Sequence, residues 1–544
     1  MRKYLSVIAL LPLLAAAQTF DADTIGGTIY DWCNGPAYRC VFNDTGFGIH
    51  TLIMFCADPS TSDRNMRYNF YDYATSQWAL SIGPDFMTWG INGFGVRAGY
   101  GSLDVGPNSH NAYFSAHCGS IYPTCVRDQS PGSGTFEECS GQATADQYLW
   151  PPIAITSDEK VHVALVDNST TNGLFYSRID PWCTWSVPVS ITEGNDPQFS
   201  DQFIEASKQS NNVLISWIVN VDPAPFFYRL STDGGDNWDP VTEIPVPETY
   251  TPGSETTASY SISGNSLLWD NSDQFHIAVN VMPIVGGTGY IIPTEIWHYC
   301  PTNTPPWNKI TRATCDTGHL GGSVGSNALY AGRPMLAIDK YNRLFCIWEQ
   351  FDSLNLESAT GQIRADIYGA GSTDNGVTWS QPVRLTAPDS TSHRFPCVAR
   401  VADDFIHVLY LRDLMAGSFI NSEGDMTNSP YVYLKVPVTA LLGVAEAPAR
   451  QRGFVPRLAV APNPFAASTH ISYELNRAGS AALRIYDASG NRVKTLVNGN
   501  LPAGRGTATW SGTDDRQRPV PRGIYFARLE TTGRVISQKI VFTR

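Results

Sequence analysis

Charge is scarce in this 544-residue chain: Lys, Arg, Asp and Glu together make up only 16% of it. Long amphipathic stretches with an apolar residue every three or four positions are also missing, which excludes a helical bundle. No two cysteines form a C-x-x-C pair, so a zinc site of that kind is not expected. Beyond the N-terminal segment no apolar run approaches the length of a membrane-spanning helix, so no transmembrane segment is expected in the mature chain. What the chain holds instead is 12% aromatic residues with 46 Gly and 36 Pro, the makings of short strands joined by tight turns. The fold class read from this is all-β.

The N-terminus reads as an export signal. MRK is a short basic start, YLSVIALLPLLAA an apolar run too short for a typical span, and Ala15-Ala16-Ala17 a small-residue cleavage site, so residues 1–17 are expected to be a signal peptide. Eleven cysteines lie between Cys33 and Cys397, which suits an oxidising compartment. Cys33 with Cys40, Cys118 with Cys125 and Cys139, and Cys300 with Cys315 are close enough for local bridges, although spacing alone leaves the pairing open. Charge is unevenly spread: residues 445–544 hold 15 Lys+Arg against 6 Asp+Glu, and the first 444 hold 22 against 44. An acidic body of this kind repels phosphate backbones, so nucleic acid is excluded as a partner.

The body repeats itself. One short alternating or fully apolar strand recurs seven times: HTLIMFCA (50–57), NAYFSAHC (111–118), VHVALVD (161–167), NVLISWIV (212–219), FHIAVNVM (275–282), RLFCIWEQ (343–350) and FIHVLYLR (405–412). Their spacing suits four-stranded propeller blades, seven of them, with six as the alternative. Trp185, Trp238, Trp307 and Trp379 keep step, each following a candidate third strand: LFYSRI, FFYRLS, EIWHYC and ADIYGA. Two of these tryptophans end an almost identical stretch, STDGGDNW (231–238) and STDNGVTW (372–379). In such a stretch Ser231 or Ser372 and Asp233 or Asp374 can accept local backbone hydrogen bonds, Gly235 or Gly376 can take a positive φ, and Trp238 or Trp379 can return to the core. Those roles fold a turn and need no substrate.

Ser-x-Asp-x-Gly-x-x-Trp resembles the Asp-box, or bacterial neuraminidase repeat, of sialidase-like β-propellers. The resemblance covers about residues 20–437 through the repeat pattern, within an expected propeller domain of residues 18–437, and it implies that the Asp-box residues lie at the blade periphery, away from an active site. The family's enzymes combine an arginine triad, an early Arg-Ile-Pro, a Tyr–Glu pair and an acid/base Asp. No Arg-Ile-Pro occurs in the early blades; the nearest echoes are Arg333-Pro334 and Arg394-Phe395-Pro396, late in the chain. Arg333 and Arg394 both begin candidate inner strands, where they could bind an anionic group in the funnel with Glu349 or Asp196 as acid partners. The alternative is that both arginines are paired to nearby carboxylates.

Residues 438–457 form an Ala/Pro/Arg-rich linker, and 458–544 a second β-pattern with PNPF, LRIYDASGNRVKTL, W-x-G-x-D, GIYF and a terminal KIVFTR. About seven short strands without cysteine suggest a small immunoglobulin-like sandwich. The segment resembles the C-terminal sorting domain of type IX secretion cargo and the related hook-cap-type immunoglobulin-like domain, with Gln517 where that family usually has Gly. The resemblance implies recognition by a bacterial secretion machinery and display at, or release from, the outer-membrane surface.

Other features are weaker. GFGVRAG (93–99) lacks the strand–helix context of a nucleotide loop. His117, His162, His276 and His407 lie on or near candidate strands and suit packing better than metal binding. The oxygen-rich loops DPSTSDRN (58–65) and DNSTTNG (167–173) lack EF-hand spacing, so a structural calcium ion is unsupported and no cofactor is expected. The first functional reading is an exported propeller that binds a glycan or protein ligand. The alternative is a glycoside hydrolase, sialidase-like, or a lyase, with a diverged site in the funnel.

Overall fold

The computed structural model describes residues 20–442 and 457–543, apart from the segments 33–38, 81–90, 120–121, 142–147, 169–172, 198–201, 222, 248–255, 316–319, 476–478, 489, 502–503 and 532–533. The expected signal peptide and most of the expected linker lie outside the described residues. The chain divides into two compact units, residues 1–444 and 445–544. No α-helix occurs among the described residues; a single 3-10 turn, Val438–Ala440, ends the first unit's last strand.

The first unit is a seven-bladed β-propeller built of seven sheets in chain order, antiparallel except where the short Val401–Ala402 segment pairs parallel with Ala331–Asp339. The second strands are Gly48–Phe55, Ala112–Cys118, Val161–Asp167, Val213–Ile218, Phe275–Val285, Leu344–Glu357 and Phe405–Asp413, coinciding with the seven repeated stretches. Each is covered on both faces by neighbouring blades, which is why VLISWI is apolar almost throughout and wholly buried. The outer strands are short, two to three residues in blades 1, 3, 4 and 6, so little edge is left unpaired.

The ring closes with Asp21–Thr28, which pairs antiparallel with Ser429–Pro437 as the outermost strand of blade 7. The closing strand therefore shares only Thr28 with the stretch TIYDW (28–32) that follows it. Ile25, at 1% exposure, anchors it in the core. Asp31 instead accepts hydrogen bonds from Ser418 Oγ and from the Phe419 and Ile420 amides, tying the segment after the strand to a loop of blade 7.

Two devices position the site. First, the inner strands of blades 2, 6 and 7 carry β-bulges near their leading ends, at Gly99/Ser102, Gly332/Met335 and Arg394/Cys397. Each bulge holds a non-glycine residue at positive φ: Tyr100 at 55°, Arg333 at 55° and Phe395 at 53°. Bulges re-aim side chains, and strained residues of this kind concentrate at functional sites. Trp150, at φ 44°, occupies the corresponding break in blade 3 between Tyr148–Leu149 and Ile153–Ile155.

Second, the ring axis is plugged by buried charge. Arg39, which just precedes the first blade, donates to Glu205 Oε2 at 3.0 Å and to the carbonyls of Leu267, Leu336 and Val398. Its own carbonyl accepts from Leu103. These partners come from the inner strands of blades 2, 4, 5, 6 and 7, so the guanidinium lies where those strands converge. Arg400 reaches Glu205 and Asp104, and Lys208 donates to Asp104 at 2.7 Å.

The second unit packs a three-stranded sheet against a four-stranded one, with Phe465, Trp510, Tyr525 and Phe542 among its core side chains. Cysteine pairing differs from the local bridges suggested by spacing. Cys139, on the outer strand of blade 2, is bonded to Cys183, which follows the third strand of blade 3. Adjacent blades bring them together across 44 residues of sequence. Cys118 and Cys125 stay reduced in the apolar interior, and Cys33 lies outside the described residues.

Candidate functional site

Because strands alternate in direction, the leading ends of inner strands and the trailing ends of second strands share one mouth of the ring. The repeated Ser-x-Asp-x-Gly-x-x-Trp turns follow third strands and lie at the opposite end. In the first, Ser231 Oγ donates to Asp233 Oδ1 and accepts from the Gly235 amide, while the Asn237 amide donates to Asp233 Oδ1, each at 2.9 Å. The second repeats the pattern with Ser372, Asp374, Gly376 and Thr378, and the Trp379 indole donates to the Gly376 carbonyl. The hydrogen bonds from Asn237 hold the Asp233 carboxyl below its ordinary range. All acceptors are occupied by the turn itself.

The glycines are required twice over: Gly235 and Gly376 have φ of 83° and 78°, and a Cβ would overlap Tyr176 and His298 of the preceding blade. Gly376→Ala is therefore expected to lower stability by roughly 1–3 kcal/mol from the backbone alone, with the His298 overlap adding to it. Asn375→Gly, one residue earlier at φ 60°, meets no backbone penalty and loses only the side-chain hydrogen bonds to Asn303 and Cys300, so it should cost no more than about 1 kcal/mol. Urea midpoints of the two variants check the contrast.

At the funnel mouth the structure brings Arg333, Glu349 and Arg394 together. Arg333 Nε lies 3.1 Å from Glu349 Oε1 and Arg394 Nε 3.1 Å from Oε2, while the Phe395 amide donates to Oε2 at 2.8 Å. All three side chains are buried, Glu349 at 1% exposure. Burial opposes ionisation of Glu349, but the charges of Arg394 and Arg333 outweigh it and hold the carboxyl below its usual range. Glu349 is thus a fixed counter-ion to two arginines and a poor proton donor. Asp196 stands apart from them: it accepts from Thr192 Oγ1 in the connection between blades 3 and 4, and no hydrogen bond or ion pair among the described residues joins it to the other three.

A second cluster, which the sequence pattern had not singled out, occupies the same mouth at blades 1–3. Arg64, preceding the third strand of blade 1, sends Nη1 to the Tyr30 hydroxyl at 3.0 Å, Nη2 to His117 Nε2 at 3.3 Å and Nε to the Ala98 carbonyl at 3.2 Å. Its guanidinium carbon lies 5.0 Å from the ring centroids of both Tyr30 and Tyr100, whose hydroxyls meet at 2.8 Å. Tyr100 in turn leans on His117, and His117 on Trp150. Gly99 makes the fit possible, since a Cβ there would come within 2.6 Å of Arg64 Nε.

Two features of this cluster are unusual. Arg64 is 4% exposed, yet no carboxylate among the described residues forms an ion pair with it. Arg333, Arg394, Arg39 and Arg400 all have one. His117 Nε2 accepts from Arg64, which assigns the proton to Nδ1, and Nδ1 is a buried donor with no hydrogen-bond partner among the described residues. Burial, with the charges of Arg64 and Arg97, brings the His117 pKa down to about 4, so the ring is neutral at physiological pH.

The other histidines on second strands show how exceptional His117 is. His50, His162 and His407 lie at the starts of their strands and pair with third-strand hydroxyls of Tyr68, Tyr176 and Tyr433 at 2.6–2.7 Å. His276 makes the same contact with His298 at 2.9 Å. These four repeat one packing element at the base of the ring, whereas His117 lies at the end of its strand, in the mouth. The loop 58–65 uses its carboxylates internally: Asp58 accepts from Ser60 and Ser62, Asp63 from the amides of Ala57 and Asp58. Among the described residues no group of three or more His, Cys, Asp or Glu is placed to hold a metal ion.

Residues 465–534 match the family model described as the FlgD Ig-like domain. No curated protein matches the chain. Among solved structures, the chain is similar to a PL25 ulvan lyase bound to -[GlcA(1-4)Rha3S]-, with 12% identity and a TM-score of 0.45 over 77% of this chain and 94% of that one. It is also similar to the BP39L lectin from Burkholderia pseudomallei, with 11% identity and a TM-score of 0.41 over 69% and 92%. A Hadza microbial sialidase matches at 12% identity and a TM-score of 0.37 over 70% and 74%.

Proposed function

We propose that this chain is an exported propeller that binds an acidic glycan at the mouth of its ring, on Tyr30, Arg64, Tyr100, His117 and Trp150. The observation that carries the reading is the buried Arg64 guanidinium, which has no carboxylate partner among the described residues, next to a His117 Nδ1–H with no acceptor among them. A buried cation without a counter-charge and a buried donor without an acceptor are both costly. A carboxylate or sulfate on a sugar supplies what each lacks, and Tyr100 and Trp150 offer aromatic faces to the sugar ring. The two Ser-x-Asp-x-Gly-x-x-Trp turns are read as Asp-boxes, the basic C-terminal unit as a type IX sorting domain, and the protein as secreted or displayed on a bacterial surface.

The test is a glycan array probed with the full chain and with Arg64→Gln. Binding confined to carboxylated or sulfated glycans is expected, weakened about 10–100-fold in the variant with the circular dichroism spectrum unchanged. Binding to neutral glycans alone, or binding indifferent to Arg64→Gln, would sink the proposal.

A second reading is catalytic, and one observation favours it: His117 is held neutral beside the Tyr100–Tyr30 hydroxyl pair, a combination suited to accepting and donating protons. Release of reducing ends from a bound acidic glycan would establish it. Its absence would leave the binding reading.

A further inference from the structure

We propose that Cys40 and Cys397 form a second cross-link site of the propeller, a disulfide that fastens the entry of blade 1 to the inner strand of blade 7. Cys40 immediately precedes the inner strand Val41–Asp44, and Cys397 follows the bulge in the inner strand Ser392–Val398. The Cys40 amide donates to Cys397 Sγ at 2.9 Å. Covalent lengths on either side of that contact hold the two Cα atoms within about 7 Å, inside or near the span a disulfide bridges. The residues are 357 apart in sequence, so only closure of the ring brings them together.

The surroundings suit the chemistry. Cys397 Sγ faces backbone amides next to Arg39, in an axial network of three cations, Arg39, Lys208 and Arg400, against the two carboxylates of Asp104 and Glu205. The uncompensated positive charge favours a thiolate at Cys397. Burial works against it, but hydrogen bonds from Cys40 and the charge of Arg39 hold the Cys397 thiol below its ordinary value. By contrast, burial pushes Cys56 and Cys118 up to about 12. Cys300 is also lowered, against its burial, by His276 and Thr302.

The oxidant is an external disulfide, such as glutathione disulfide or an oxidised dithiol oxidoreductase. The Cys397 thiolate attacks one of its sulfurs, forms a mixed disulfide and releases one thiolate. Cys40 then gives up its proton and attacks the Cys397 sulfur, forming the Cys40–Cys397 bond and releasing the second thiolate. Two electrons pass to the oxidant, and the two cysteine protons end on the two released thiols. The strand Asp21–Thr28 latches the outer edge of blade 7 by hydrogen bonds. The disulfide would latch its inner edge covalently.

The experiment is a non-reducing peptide map of the full chain after equilibration with glutathione disulfide. The expected result is one peptide pair joining Cys40 to Cys397 beside the pair joining Cys139 to Cys183. Finding Cys40 joined to Cys33, or both Cys40 and Cys397 alkylated under denaturing, non-reducing conditions, would overturn the proposal. In a Cys139→Ser, Cys183→Ser background, dithiothreitol should still lower the apparent Tm by roughly 5 °C or more. An unchanged Tm there would count equally against it. If that background does not fold, the wild-type peptide map decides alone.

Discussion

Arg39→Met is expected to lower the unfolding free energy of the propeller by about 3–5 kcal/mol, the range found when one partner of a buried ionic network is removed. Met replaces the aliphatic stem of Arg and leaves only the guanidinium's own space empty, so most of the loss is not one of volume. It comes from what the guanidinium was satisfying: Glu205 and three main-chain carbonyls, from Leu267, Leu336 and Val398, all on different blades. Burial lowers the pKa of Arg39 and of Arg400 to about 10, still well above neutrality, so both remain charged when the ring is closed. Glu205 keeps Arg400 as a partner in the variant, which bounds the damage. The carbonyls have no such substitute. Urea unfolding followed by tryptophan fluorescence measures the effect. A double-mutant cycle with Glu205→Gln should show a coupling of about 0.5–3 kcal/mol. Additive effects would mean that Arg39 acts through the carbonyls alone.

The architecture was legible in the sequence for a physical reason. A middle strand of a blade is covered on both faces, so VHVALVD and NVLISWIV stand out as apolar runs, and the tryptophans that follow third strands recur at blade spacing. The closing strand was harder, because DADTIGGT pairs on one side only and has four exposed residues at its start. Disulfide pairing was illegible from spacing: Cys139 and Cys183 meet because adjacent blades pack, not because they are near in sequence.

The mouth was half legible. Arg333 and Arg394 can be picked out by their position at the head of inner strands, but nothing in one dimension shows that both close on Glu349. The Arg64 cluster is tied by hydrogen bonds that span 34 to 70 positions of sequence, through a bulge that no sequence pattern marks. One signal was present. Histidine stands at the start of the repeated strand in HTLIMF, VHVALV, FHIAVN and FIHVLY, and at its end in NAYFSAHC. Register within the repeat separates the structural histidines from the one in the mouth.

Asp413→Asn is expected to make the propeller more stable than the parent at pH 8, by about 2–4 kcal/mol, and no more stable near pH 4. Asp413 ends the second strand of blade 7, at the mouth, and burial followed by the negative charge of Asp31 raises its pKa to about 7. Arg394 pulls the other way but is already committed to Glu349. Burial likewise raises the pKa of Asp31, against its hydrogen bonds from Phe419, Ser418 and Ile420. The folded state therefore binds a proton at Asp413 more tightly than the unfolded chain, whose Asp titrates near 3.9. The associated stability is complete below about pH 4, declines as pH rises towards 7 and is gone above it. An Asn carbonyl can still accept from Ser429 Oγ and the Met415 amide, as the carboxyl does, while removing the repulsion. Unfolding midpoints of parent and variant between pH 4 and 8 should diverge steadily with pH. Parallel curves would show that the Asp31–Asp413 pair carries no titration in this range.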